Sequence, residues 1–284
     1  MLLKSLFISA FPTFLALAAA FSGWQIAENQ FVIANIFVLI AVVPFLLFLA
    51  VAFGLTNIAR TSESPWYFFV SPIVGSVGAM YLLMNQQAEW LHVVLSVGGL
   101  VGSFIYVYWY SVFGREQNDI LEVGKALPEF ELFDENRNAV SSKEISQQPA
   151  LLMFYRGNWC PLCMAQIKEV AATYKEMEKR GIKVYMISPQ SHKNTAELAS
   201  RFDVNFNFLV DKDNQAAERL KIKAENGLPM GLQAMGYDSD VPMPTVVMLD
   251  ANGKIIFADL TDNYRVRPEP QDFLKVFDQH LATV

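Results

Sequence analysis

Ala150-Leu-Leu-Met-Phe-Tyr-Arg-Gly-Asn-Trp-Cys-Pro-Leu-Cys163 is the stretch that decides the fold of the C-terminal half. Its opening is an apolar run bounded by Pro149 and Gly157, the pattern of a buried strand. After Cys160 the apolar residues fall at Met164, Ile167, Val170 and Ala171, a helical spacing that Gly181 closes. The two cysteines therefore sit where a buried strand passes into a helix. Unpaired N–H groups and the helix dipole at such a junction stabilise a thiolate. Cys160 is expected to be the more acidic, attacking thiol, and Cys163, one turn on, the resolving one. Pro161 suits a first turn, where an N–H would have no partner.

Cys160 and Cys163 are the only cysteines in the chain. A zinc half-site needs two further ligands, and His192 and His280 do not form a ligand pair, so no metal is expected. A purely structural disulfide across so short a loop would gain little chain entropy. Redox chemistry is the stronger reading, with the Cys160–Cys163 couple as the only redox group the C-terminal half requires.

N-terminal to this stretch, Phe130-Glu-Leu and an apolar partner around Val140 predict a leading hairpin across 134–138. Lys183-Val-Tyr-Met-Ile-Ser188 predicts a strand, followed by a helix over 192–202, a strand over 206–210 and a further alternation at 216–220. Val246–Leu249 and Ile255–Ala258 flank Asn252-Gly253, a hairpin signal, and a helix over 272–281 ends the pattern. Alternating strands and helices closed by a hairpin define a mixed-sheet α/β domain, placed at 115–284.

The first 114 residues differ in kind. Of 22 Lys+Arg only Lys4 and Arg60 precede position 115, and of 28 Asp+Glu only Glu28, Glu63 and Glu89 do. Four uncharged stretches are long enough to cross a hydrocarbon core of about 30 Å, with spans expected near 5–24, 31–55, 66–84 and 91–113. The expected fold class is thus an all-α transmembrane bundle at 1–114 followed by an α/β domain. Trp24, Trp66, Tyr67, Trp90, Trp109 and Tyr110 lie near span ends, where amphipathic rings favour the headgroup level. A signal peptide ending near Ala18-Ala19-Ala20 is the alternative for the first span. Lys4, Arg60, Arg115 and Lys125 all fall on one side of the predicted spans, which puts the C-terminal domain in the cytoplasm by the positive-inside rule. A periplasmic placement is the alternative. The membrane half has no thiol and no intramembrane charge, and His92 near a span end reads as an interfacial side chain. An anchor is the simpler reading, a quinone pocket of apolar and aromatic groups the open alternative. The lipid bilayer is one expected partner. The domain after 114 carries 20 basic and 25 acidic residues without basic blocks, which argues against nucleic acid.

Phe154-Tyr-Arg-Gly-Asn-Trp-Cys-Pro-Leu-Cys163, Ile187-Ser-Pro-Gln190, Asp211-Lys-Asp213, Pro244-Thr-Val-Val-Met-Leu-Asp250 and Tyr264-Arg-Val-Arg-Pro-Glu-Pro270 resemble the AhpC/TSA redoxin group, and within it peroxiredoxin-like members with a Trp-Cys-Pro-x-Cys motif. The resemblance runs from about Glu122 to the C-terminus and leaves the membrane half uncovered. It implies a thioredoxin fold in which Met243-Pro244 is a cis peptide facing the cysteines, its backbone pairing with an extended substrate. Trp159, Pro161, Met243, Pro244 and Thr245 are then the substrate-facing residues. Two departures stand out. Aligned from Phe154, Cys160 takes the position of a peroxiredoxin threonine and Cys163 that of the peroxidatic cysteine. The peroxidatic arginine falls at Pro244. Thioredoxin's buried Asp falls at Phe154, which leaves the proton acceptor unassigned. Arg156 beside the motif is either a cation that lowers a thiolate pKa or a solvated structural arginine. Arg265 and Arg267 either border the site or, the simpler reading, make surface salt bridges.

Three functions compete. The leading one is dithiol–disulfide exchange between a thioredoxin-like donor and a disulfide substrate, with Cys160 attacking and Cys163 resolving. The second is a thiol peroxidase in which Cys163 or Cys160 attacks a hydroperoxide. The third is a membrane redox sensor or interaction module whose Cys-x-x-Cys state alters partner binding.

Overall fold

The computed structural model describes residues 1–55 and 58–283. The chain divides into two compact units: Leu3–Leu55 with Thr61–Val112, and Met1–Leu2, 58–60 and 113–283.

The first unit is built from helices α1 (Leu2–Ala27), α2 (Val32–Leu55), α3 (Tyr67–Met84) and α4 (Trp90–Ile105). A π-helical turn at Tyr106–Tyr110 extends α4. All four are long and apolar enough to cross a membrane. Pro12, Pro44 and Pro72 lie inside helices, as apolar surroundings with close neighbours tolerate. Small residues set the packing distance: a Cβ at Gly102 would overlap the Phe11 ring, and one at Gly75 would meet the Phe37 carbonyl at 2.5 Å. Their outward surface is apolar, with Leu17, Val77 and Val94 each more than half exposed.

The second unit opens with the hairpin β1 (Glu131–Phe133) and β2 (Ala139–Ser141), then α5 (Ser142–Ile145) and β3 (Ala150–Phe154). Helices α6 (Pro161–Ala172) and α7 (Tyr174–Lys179) follow. The sequence pattern predicts one helix here; the chain instead breaks at Thr173, whose hydroxyl bonds back to the Glu169 and Val170 carbonyls. Next come β4 (Lys183–Ser188), α8 (His192–Ala199), β5 (Asn207–Val210), α9 (Gln215–Arg219), β6 (Lys223–Ala224) and β7 (Val241–Pro242). The hairpin β8 (Thr245–Leu249) and β9 (Ile255–Asp259) and helix α10 (Pro270–Thr283) complete it.

Seven strands form one mixed sheet in the order β2-β1-β5-β4-β3-β8-β9, with β3, β4 and β5 parallel and β8 antiparallel to β3. The period of two along each central strand splits the core into two layers. Leu151, Met153, Val184, Met186, Val246 and Met248 face Cys163, Ile167 and Val170 of α6 and Phe273 and Phe277 of α10. Leu152, Phe154, Ile187, Val247 and Leu249 face the opposite layer, which holds Ala216, Ala217 and Leu220. Three central parallel strands flanked by antiparallel ones, with helices on both faces, make a thioredoxin-like fold.

Candidate active site

Strand β3 is buried along its length and ends at Phe154, registered against Ile187 of β4 and Thr245 of β8. The chain then leaves the sheet through Arg156-Gly157-Asn158-Trp159. Gly157 makes the exit with φ +134°, and a Cβ there would lie 2.7 Å from Trp159 Nε1. Gly157→Ala is therefore expected to destabilise the full chain by about 1–3 kcal/mol in chemical unfolding, from a strained φ and a displaced indole. An unchanged unfolding midpoint would show that the loop relaxes freely. The Asn158 N–H donates to Gln190 Oε1 at 2.8 Å, and Gln190 Nε2 donates to the Tyr155 hydroxyl at 3.1 Å. Burial pushes the Tyr155 phenol well above its usual range, so it stays protonated.

Cys160 occupies the N-cap of α6 in an extended conformation, with Pro161 opening the helix. Its carbonyl accepts from the Met164 N–H at 3.0 Å, which starts the helical ladder. Cys160 and Cys163 are joined as a disulfide with Cα atoms 5.3 Å apart. Cys160 is 3% exposed and Cys163 fully buried.

Arg267 lies against the inner sulfur. Its Nη1 and Nη2 are 3.7 and 3.6 Å from Cys163 Sγ, its Nη1 donates to Gln166 Oε1 at 2.9 Å, and its Nε donates to the Tyr264 carbonyl at 3.0 Å. Desolvation, then the charge of Arg156, lowers its pKa to about 10, so it remains cationic at neutral pH. A buried guanidinium costs several kcal/mol unless it is hydrogen-bonded; here the partners are in place. The surface salt-bridge reading of Arg265 and Arg267 is thus corrected: both are buried, Arg265 completely. The tail that carries them turns back over α6, which a local pattern does not reveal.

Thr245 sits opposite Phe154 in the β3–β8 register, so Met243 and Pro244 lead into the sheet beside the β3 exit. Pro244 and Thr245 line a cavity of about 10 Å³ with Phe154, Gln166, Tyr264 and Arg267, room for about one water. The implied cis Met243–Pro244 bond is corrected: no cis peptide occurs among the described residues. The trans form is the intrinsically favoured one. In it the Met243 N–H bonds to the Ile222 carbonyl at 2.7 Å and the Met243 carbonyl accepts from Thr245 Oγ1 at 2.8 Å. Arg115 braces the same segment, its Nη2 donating to the Pro244 carbonyl at 2.7 Å and its Nη1 to Thr245 Oγ1 at 3.2 Å.

Arg156 stacks on the Trp159 ring, 4.8 Å from its centroid, and donates to the Gly227 carbonyl. Trp159 also packs against the cluster of Leu228, Val241 and Met243, while the Tyr237 hydroxyl bonds to Asn158 Oδ1. The 225–240 segment thus holds the loop that precedes Cys160. Trp159 Nε1 is buried without a hydrogen-bond partner. The sequence pattern does not mark Arg115, Gln166, Gln190 and Tyr237 as site residues. Gln166 carries a local signal in its i,i+3 relation to Cys163 on one helix face, and Gln190 in closing the Ile187-Ser-Pro-Gln190 stretch.

A thioredoxin-like sheet with a Cys-x-x-Cys disulfide at the start of α6 defines a thiol oxidoreductase. The AhpC/TSA family matches residues 123–258. The chain is 30% identical over 158 residues to bcp of Haemophilus influenzae, named as a peroxiredoxin, covering 55% of this chain and 97% of that one. It is 31% identical over 101 residues to the bcp protein of Helicobacter pylori, covering 36% of this chain and 66% of that relative, just under two thirds. Against the thiol-disulfide oxidoreductase ResA of Bacillus cereus it is 19% identical over 165 residues, covering 58% of this chain and 82% of the other. The chain belongs to the AhpC/TSA family. Arg60, Arg115 and Arg267 all lie outside the matched segment.

Proposed function

We propose that the chain is a membrane-anchored thiol–disulfide oxidoreductase cycling Cys160 and Cys163 between dithiol and disulfide. The observation that carries the reading is the pairing of the two sulfurs across the first turn of α6, with a buried cation on the inner one. A thiolate of a thioredoxin-like donor attacks Cys160 Sγ. The S–S bond breaks, and its electron pair leaves on Cys163, where Arg267 stabilises the thiolate. A lower-pKa leaving group departs faster. The donor's second thiol then displaces Cys160, releasing oxidised donor and the reduced enzyme. Towards a disulfide substrate the steps reverse: Cys160 attacks, and Cys163 resolves the mixed disulfide. Trp159, Met243 and Pro244 would border the substrate chain. Reduction of insulin disulfides by the full chain, lost with Cys160→Ser, is the test.

A second reading has a specific observation in its favour. Arg267 touches Cys163 and not Cys160, which suits Cys163 as the attacking thiolate of a hydroperoxide reductase. Cys163 would then attack the O–O bond, expelling an alcohol or water and becoming a sulfenic acid, with which Cys160 would condense to form the disulfide and release one water.

The membrane placement rests on four long apolar helices and on the grouping of Lys4, Arg60 and Arg115 on one side. The hydrogen bonds of Arg60 to Glu169 and Arg267 support an even number of crossings between Arg60 and Phe113. A reporter fused to the C-terminus is expected to be active only as a cytoplasmic reporter. Strong alkaline phosphatase activity there would place the redox domain outside the cytoplasm and favour a role in oxidative folding.

A further inference from the structure

We propose that Arg60, far upstream of the family-matched segment, is a positioning residue for the active-site thiol. The inference rests on the reading of Arg267 as the cation that stabilises a thiolate at Cys163. Arg60 folds as part of the C-terminal unit. Its guanidinium forks onto the Glu169 carboxylate, with Nη1 3.1 Å from Oε1 and Nη2 on Oε2. Its Nε donates to the Arg267 carbonyl at 3.1 Å and its Nη2 to the Pro268 carbonyl at 3.3 Å. Glu269 lies 3.7 Å from Nη1.

These bonds join α6 to the returning tail, beside the Arg267–Gln166 bond that joins the same two elements one turn earlier on the helix. Glu169 is on α6, the helix that Cys160 caps and whose first turn carries Cys163. Arg267 and Pro268 belong to the tail that returns over that helix. A bidentate guanidinium–carboxylate pair fixes direction as well as distance, and the two carbonyl bonds fix the tail's backbone where the Arg267 side chain departs. The ion pair is only about a quarter to a third exposed, with side chains at 24% and 35%, so solvent screens it less than a typical surface pair. Arg60 thereby sets how closely the Arg267 guanidinium approaches Cys163 Sγ. Loss of the clamp lets the tail draw back, and the thiolate loses part of its counter-charge.

The test uses the full chain in the Cys160→Ser background, where Cys163 is the only thiol and its ionisation is read from ultraviolet thiolate absorbance against pH. Arg267→Ala is expected to raise the Cys163 midpoint by about 1–2 pH units, the usual effect of removing an opposite charge at this range. Arg60→Ala is expected to raise it by roughly half a unit or more, and to add nothing on top of Arg267→Ala. Should Arg60→Ala fail to fold, Glu169→Gln releases the other arm and is expected to shift the midpoint in the same direction. If Arg267→Ala shifts the midpoint and neither Arg60→Ala nor Glu169→Gln does, Arg60 is a structural ion pair and the inference is wrong while the site reading stands. Additive shifts also overturn it, since Arg60 would then act on Cys163 without Arg267. If Arg267→Ala itself leaves the midpoint unmoved, the reading of Arg267 fails and takes the inference with it.

Discussion

Cys160→Ser is expected to abolish insulin-disulfide reduction, by on the order of 10³-fold or more, because the one thiol left, Cys163, is fully buried away from a protein disulfide. The two cysteines should fail differently. With Cys163→Ser the attack at Cys160 still occurs, but the mixed disulfide has no internal thiol to displace the substrate. A stoichiometric covalent adduct should therefore accumulate over a single turnover and be visible as a mass increase. Hydroperoxide consumption separates the competing readings. If Cys163 is the peroxide-attacking group, Cys160→Ser retains consumption with an added thiol reductant, and Cys163→Ser loses it. If exchange is the whole activity, neither variant consumes peroxide above the background of a free thiol. Insulin reduction surviving in Cys160→Ser would refute the exchange mechanism as written. Absence of both activities from the unmodified chain would leave the sensor reading in possession of the site.

The acidity order of the two thiols is the point on which the local pattern and the tertiary structure pull apart. The strand-to-helix junction places Cys160 at the helix tip, where the dipole acts most strongly. The buried Arg267 guanidinium, by contrast, approaches Cys163. A buried guanidinium at 3.6 Å acts through a low-dielectric interior, whereas the dipole effect is worth about 0.3–1 kcal/mol in exposed settings. On the proposed mechanism Arg267 would favour thiolate character at Cys163 in the reduced protein, against the desolvation that its burial imposes. It is compatible with exchange, in which Cys163 is the leaving group.

The sheet and the cysteine junction were legible because their signals are local. A buried strand, a turn glycine and a helical apolar spacing all lie within the 150–171 stretch. The framing of the site was not, because each contact spans a long sequence separation. Arg267 reaches Cys163 across 104 residues, Arg115 reaches Thr245 across 130, and Arg60 reaches Glu169 across 109. An arginine near the end of a chain carries no mark that says it is buried. The trans Met243–Pro244 bond is illegible for another reason: the resemblance implies the cis form, and no residue pattern distinguishes the two isomers at that position. The break at Thr173 likewise depends on a hydroxyl that competes for helix carbonyls, which apolar periodicity does not register.

A chain that begins at Phe113 is expected to fold and to reduce a soluble disulfide within about tenfold of the full-length rate, whereas one that begins at Glu122 is expected to lose most of it. The sequence alone suggests residue 122 as a safe start, because roughly 160 residues are ample for a single core. The structure moves that boundary. Leu121 is 1% exposed within the core layer under β1, and its burial contributes about 1.5–3 kcal/mol. Asn118 ties this approach to the Leu220 carbonyl at 2.8 Å. Arg115 holds the Pro244 carbonyl and Thr245, so its removal frees the segment that borders the disulfide. The shorter chain thus loses both stability and the geometry of the substrate-facing wall. The longer one keeps them and lacks, of its own compact unit, Met1–Leu2 and 58–60, Arg60 among them; the Arg60 effect of about half a pH unit at Cys163 accounts for a rate change of a few-fold. Near-full activity from residue 113 onward identifies the helical unit as an anchor that takes no part in electron transfer. A quinone-linked mechanism predicts the opposite: turnover lost in both truncated chains, and added quinone oxidising the Cys160–Cys163 dithiol only in the full-length protein. Equal activity of the two truncated chains would show that Arg115 does not position the Pro244 segment.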